Sequence, residues 1–195
     1  MTNRHEFHNF GYVRVKVPSE IMTYIKYEVA SIDNSTENST GISGVIGPGS
    51  MTHYNFKNSN PLKDYVLEEC QSYLNAFYSA VDYKLRSDGI DPTHSKMNVM
   101  DPWINVQKQT EWLAPHDHCG FVSYTLWVSL PQSSTFEFIY NTITGDTMKE
   151  QLILTPENEG EMILFPSKIL HCVHPFFNDN TTRITVAGNI GISNQ

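Results

Sequence analysis

Four of the chain's eight histidines stand in two short runs: His116 and His118 in WLAPHDHCG, and His171 and His174 in FPSKILHCVHP. On an extended strand, residues two apart share a face about 6 to 7 Å apart, so His116 and His118 can reach one ion while Asp117 points away. Neutral imidazole suits iron, zinc, copper and nickel alike, so the pair does not choose the metal, and a third ligand must come from elsewhere. An isolated His-X-His is as readily a pair of surface or core histidines. The second run is what argues for a metal, and it offers two candidates, His171 and His174. Three residues apart, these cannot share a face of a regular strand.

Arg183 follows at the head of RITVAGNIG, whose alternating β-branched residues read as a strand with one buried face. An arginine in that position is costly unless paired, and no acidic residue adjoins it. A dicarboxylate ligand would be a suitable partner, because a guanidinium binds carboxylate as a two-pronged fork. Thr185, two residues on and on the same face, adds a hydroxyl donor.

These residues need a scaffold. With 195 residues, 39% hydrophobic and 12% aromatic, the chain can bury one good core, and it reads as a single domain over 1–195, with a helical region at 1–97 and a β-barrel core at 98–195. Ile21, Met22, Ile25 and Val29 follow helical spacing after Pro18 and Ser19. A longer helix is expected at 61–86, with Asn60 as cap, Pro61 in the first turn and an apolar stripe from Leu62 through Val66, Tyr73, Leu74, Phe77 and Val81 to Leu85. The polar stretch 33–40 (DNSTENST) reads as loop. Beyond Asn98, short runs rich in Val, Ile, Thr and aromatic residues predict strands at 101–109, 112–118, 122–130, 135–140, 151–154, 161–165, 170–174 and 182–191. The fold class is therefore mainly β with N-terminal α-helices, a jelly-roll barrel buttressed by helices on one sheet.

The formal net charge of −8 is scattered, with no basic run to follow phosphates or an anionic membrane, so nucleic acid is a poor partner. No apolar run is long enough to cross a membrane as a helix, and the first residues show no signal-peptide pattern. Three cysteines, Cys70, Cys119 and Cys172, make an odd number with no CxxC pair, which predicts a reducing cytoplasm. The Asn-X-Ser/Thr triplets at Asn34, Asn38 and Asn180 read as polar loop, and a homodimer is allowed for.

The run WINVQKQTEWLAPHDHCGFVSYTLWVSLP, then PENEGEMILFPSKILHCVHP, then RITVAGN, resembles a family of 2-oxoglutarate and Fe(II)-dependent oxygenases of bacteria and their phages. His171, Val173, Pro175 and Arg183 more distantly resemble the HxVxP and arginine of prolyl hydroxylases. The resemblance spans roughly residues 60–190. It implies a double-stranded β-helix, Fe(II) held by His116, His118 and His171, and 2-oxoglutarate anchored by Arg183 and Thr185. Oxygen would be the co-substrate, hydroxylation of an unidentified protein side chain or small molecule the reaction, and the host cytoplasm the location if the chain is phage-encoded. His118 stands where most such oxygenases carry Asp or Glu. Trp127 stands where the family offers tyrosine to the cofactor, and alternation on its strand would turn Ser123 and Thr125 inward with it. Asn105 matches the WxN asparagine and would touch the other end of the cofactor.

Two other classes use the same barrel. A cupin-type protein with three histidines and no 2-oxoglutarate has no need of Arg183, and it usually has a glutamate shortly after HxH, whereas 120–125 contains none. A non-catalytic jelly roll would leave the histidines incidental.

Overall fold

The computed structural model describes residues 3–6, 11–32, 51–142, 144–177 and 180–194. In chain order the elements are β1 (Asn3–Glu6), β2 (Gly11–Lys16), α1 (Ser19–Ala30), β3 (Thr52–Asn55), α2 (Asn60–Ala76), α3 (Tyr78–Ser87), β4 (Ser95–Val99), β5 (Trp103–Gln107), β6 (Leu113–His116), β7 (Val122–Ser129), β8 (Ser134–Asn141), β9 (Thr147–Leu154), β10 (Glu161–Pro166), β11 (Leu170–Val173) and β12 (Arg183–Asn194).

The strands form two antiparallel sheets. The larger runs β1-β2-β10-β7-β12-β5-β3, with β4 also paired to β12, and the smaller runs β6-β11-β8-β9. Together they make the expected double-stranded β-helix. All eight strands expected beyond Asn98 are present, with shifted ends. The expected strand 112–118 stops at His116, so His118 lies past its end.

Strict alternation makes the large sheet two-faced. From β7, Val122, Tyr124, Leu126 and Val128 join Val13, Val15, Ile104, Met162, Leu164 and Val186 in a core closed by Ile25, Leu62, Val66, Tyr73, Val81 and Leu85 of the helices. On the opposite face, Tyr12, Trp127, Ile163 and Phe165 meet Phe136, Phe138, Leu152 and Leu154 of the small sheet. This inner space also holds the functional side chains.

Three expectations are corrected. The single helix 61–86 is two, because Phe77 leaves helical geometry at φ −117, ψ 28. Tyr73, Phe77, Val81 and Leu85 all remain buried across the break. Asn60 is the first helical residue rather than the cap, and its backbone N–H donates to Asn58 Oδ1 at 3.2 Å. The amino-terminal region up to residue 97 is not purely helical: it supplies β1 to β4, and GYVRVK of β2 alternates as regularly as any later strand. The polar stretch 33–40, with Asn34 and Asn38, lies outside the described residues.

Gly188 of β12 faces the Tyr124 ring, and a Cβ there would stand 2.5 Å from Oη and 2.7 Å from two ring carbons. Tyr124 is fully enclosed and cannot yield. Gly188→Ala should therefore cost about 1 to 3 kcal/mol by overpacking, read as a lower denaturation midpoint. Tyr124→Phe in that background should recover some of the loss, since it removes the atom of closest approach.

Candidate functional site

β6 and β11 pair so that His116 and His171 are direct register partners, with ring centroids 4.3 Å apart. His118 joins them from beyond the strand, its Nε2 3.2 Å from His171 Nε2. Its loop is fixed by the backbone. His118 N donates to Ser167 O at 2.9 Å, Ser167 N to Phe121 O at 3.1 Å, and Phe121 N to Ile190 O at 2.7 Å. Gly120, at φ 100, allows the turn between them, where a Cβ would meet Ile190 O at 3.0 Å.

One ligand atom from each of the three imidazoles lies within 4.8 Å of the others. His116 Nδ1 donates to Ala114 O at 2.7 Å and His171 Nδ1 to Ile169 O at 3.0 Å. A carbonyl only accepts, so both Nδ1 atoms carry the proton and both Nε2 atoms keep a lone pair for a shared ion. Burial lowers the pKa of all three, His118 to about 4, which keeps them neutral as ligation requires. Phe136 stacks on His171 at 5.4 Å, Phe165 meets it edge-on at 5.0 Å, and Trp103 lies 5.6 Å from His118. Asp117 turns outward to Lys168 at 3.4 Å, and His174 leaves the cluster for the outer face of the small sheet.

The cavity beside the cluster is lined by facing rows of β5 and β12. In register, Trp103 opposes Ala187, Asn105 opposes Thr185, and Gln107 opposes Arg183. Asn105 Nδ2 donates to Thr185 Oγ1 at 3.1 Å, and Asn105 Oδ1 accepts from His53 Nδ1 at 2.6 Å. Arg183 is 2% exposed, yet its Nε and Nη2 have no partner and Nη1 makes a single 3.5 Å contact to Thr135 O. No carboxylate of the described residues pairs with it, and burial pushes its pKa down to about 9. Gln107 Oε1 and His53 Nε2 are likewise buried without partners. Unsatisfied polar atoms are rare in protein interiors, and four of those in the described residues belong to residues lining this one cavity. Such a lining could hold an anion beside a metal ion.

Of the sequence-predicted residues, His116, His118, His171, Asn105, Thr125, Arg183 and Thr185 come together at this cavity. Ser123 and Trp127 face the same interior but do not line it. Ser123 Oγ donates to Ser167 Oγ at 2.9 Å or Asn189 Oδ1 at 2.8 Å, which ties it to the His118 loop. Trp127 is wholly buried in the inner core, with Arg14 5.8 Å over its ring and its Nε1 unpartnered. Missed from sequence were Met51, His53, Gln107 and Phe136. No local signal marks His53, whose place follows from β3 pairing with β5 some 50 residues on.

Residues 101–189 match the family model described as "Putative 2OG-Fe(II) oxygenase". No curated protein matches in sequence. Among solved structures, a Pseudomonas putida prolyl-4-hydroxylase is similar at TM-score 0.56 and 13% identity, over 92% of this chain and 91% of that one. HygX from Streptomyces hygroscopicus, with nickel, 2-oxoglutarate and hygromycin B bound, gives 0.55 and 11% over 94% and 83%. A Trichoplax adhaerens prolyl hydroxylase in complex with a hypoxia inducible factor peptide gives 0.54 and 11% over 96% and 84%. At these identities the likeness is one of fold.

Because folding lowers the His118 pKa from 6.5 to about 4, the unfolded chain takes up a proton first as pH falls. Metal-free protein should hold this contribution above about pH 6.5 and lose it progressively toward pH 4. Denaturation midpoints between pH 7.5 and 4.5 should fall less steeply in His118→Asn. Equal slopes would mean that the imidazole is not held neutral by burial.

Proposed function

We propose, from the match of residues 101–189 to the family model described as "Putative 2OG-Fe(II) oxygenase", that this chain hydroxylates an as yet unidentified substrate with release of succinate and CO2. The observation that carries the reading is Arg183, a buried cation with unused donors in the same cavity as three convergent imidazoles.

His116, His118 and His171 would hold Fe(II). Two of their Nε2 atoms stand 3.2 Å apart, which suits nitrogens bonded at about 2.1 Å to one ion. Arg183 and Thr185 would take the far carboxylate of 2-oxoglutarate. When bound, iron and 2-oxoglutarate supply the oxidising chemistry: oxygen is consumed, the oxo acid becomes succinate and CO2, and one oxygen atom enters the substrate.

The chain's own residues do the rest. The backbone carbonyls of Ala114 and Ile169 hold two imidazoles in the ligating tautomer. Asn105, braced by His53, orients the Thr185 hydroxyl, and Gln107 keeps a free carbonyl oxygen in the pocket. Phe136, Phe165 and Leu113 shield the ligands from water, which strengthens every charge interaction in the cavity. A third imidazole in place of a carboxylate leaves the metal site one charge more positive.

The cupin alternative is not favoured, since it leaves Arg183 with nothing to bind. Three free cysteines suit a reducing cytoplasm. No helix among the described residues is long and apolar enough to cross a membrane.

The experiment is succinate release from 2-oxoglutarate with Fe(II), first alone and then with proline-containing peptides and small hydroxylated molecules. Alanine at His116, His118 or His171 should abolish tight iron binding, whereas Asp117→Ala should leave it intact. A filled site in His118→Ala beside an empty one in Asp117→Ala would overturn the ligand set.

Arg183→Ala should weaken 2-oxoglutarate by roughly 2 to 5 kcal/mol, much of it from leaving the carboxylate unpaired. Arg183→Lys should recover only a fraction, because a point charge does not reproduce the fork. Iron should stay bound in both. Anaerobic titration of the Fe(II) protein measures this directly, and equal affinity in wild type and Arg183→Ala would remove the case for an oxygenase.

A further inference from the structure

The outer face of the small sheet carries a second group of ligating side chains. β11 alternates, so His171 and Val173 face the cavity while Cys172 and, two residues on, His174 face away from it. Cys172 is the direct register partner of Glu137 on β8. Cys172 Sγ lies 3.9 Å from Glu137 Oε1 and 3.7 Å from His174 Nε2, and His174 Nε2 lies 3.5 Å from Glu137 Oε2.

Those separations can be compared with the need of an ion. Zinc bonds sulfur at about 2.3 Å and nitrogen or oxygen at about 2.0 to 2.2 Å, so a tetrahedron places such atoms about 3.4 to 3.6 Å apart. The Cys172–His174 separation is within a few tenths of an ångström of that; Glu137 turns one oxygen to each partner, and one donor atom from each of the three residues lies within 4.8 Å of the others. Glu137 is 2% exposed, and its oxygens also accept from Gln151 Nε2 at 2.6 Å and meet Lys149 Nζ at 3.4 Å. Lys149 is largely exposed and can turn into solvent once a cation replaces it beside the buried Glu137 carboxylate. His174 is partly exposed, which gives an ion an entrance and a water a fourth position.

We propose that Glu137, Cys172 and His174 form a second metal site, outside the cavity, that takes a thiophilic divalent cation such as Zn2+ with water as its remaining ligand. On binding, the S–H bond breaks, its proton passes to solvent and the thiolate bonds to the metal, with no change of oxidation state. Thiolate is the softest donor available to either group of side chains. The outer site therefore selects Zn2+ by ligand type, whereas three imidazoles accept iron. The inference stands apart from the oxygenase reading, because it uses none of the cavity's residues.

Co2+ titrated into full-length, metal-free, reduced protein tests it. Two equivalents should bind, one of them giving a near-ultraviolet thiolate-to-cobalt charge-transfer band that three histidines cannot produce. Excess Zn2+ should abolish the band. Cys172→Ser should remove the band and one equivalent, while Cys119→Ser, which alters the thiol beside His118, should leave both. His174→Asn changes a partly exposed residue and should weaken the second equivalent at least tenfold, so it decides the matter should Cys172→Ser fold poorly. A wild-type protein without the band overturns the proposal, and so does a band lost in Cys119→Ser but kept in Cys172→Ser.

Discussion

The large sheet has to bury both of its faces. Its central strands β10, β7, β12 and β5 meet helices on one side and the small sheet on the other, and period-two alternation leaves no residue free of both duties. The helix face is satisfied mainly by apolar packing, with Tyr73 donating to the Gly11 carbonyl. On the inner face, some polar residues bond one another, as Ser123 does with Ser167 and Asn189, and Asn105 with Thr185 and His53, while Arg183, Gln107 and His53 keep unpartnered atoms at the cavity. The site is thus built into the sandwich's interior and inherits its rigidity.

Electrostatics sharpens this picture. Among the described residues, three imidazoles kept neutral by burial and one guanidinium without a carboxylate partner give the cavity a net positive charge. Breaking or omitting one partner of a buried ion pair is strongly unfavourable in general, because the remaining charge loses its hydration. The cavity resolves this only when something negative enters. A divalent metal adds two positive charges, so a dianion that contacts both ends answers both demands at once.

The features of the site legible in sequence were those whose signal is local. His116, His118 and Arg183 stand out because histidines two apart, and an arginine heading an alternating strand, are local signals, whereas only the family resemblance singled out His171 over His174. His53 and Gln107 were not legible, since each matters only through its neighbour across a strand pair. Trp127 shows the limit of alternation: it gives the face correctly but not the depth, and the indole sits behind the cavity wall. In the amino-terminal half, long helical patterns drew the reading toward helix, although β2 alternates plainly. The break at Phe77 was invisible because no glycine or proline marks it and the apolar stripe runs through unbroken.

The unpaired Arg183 also bears on how long the molecule lasts. A ligand that binds only the native state stabilises it by about 2.7 kcal/mol at a concentration one hundred times its Kd. Proteases act on the opened chain, so where opening is fast the degradation rate follows the open population. A dicarboxylate completing the Arg183 pocket would lower that population about a hundredfold. Resistance to proteolysis would then rise and fall with occupancy of that pocket.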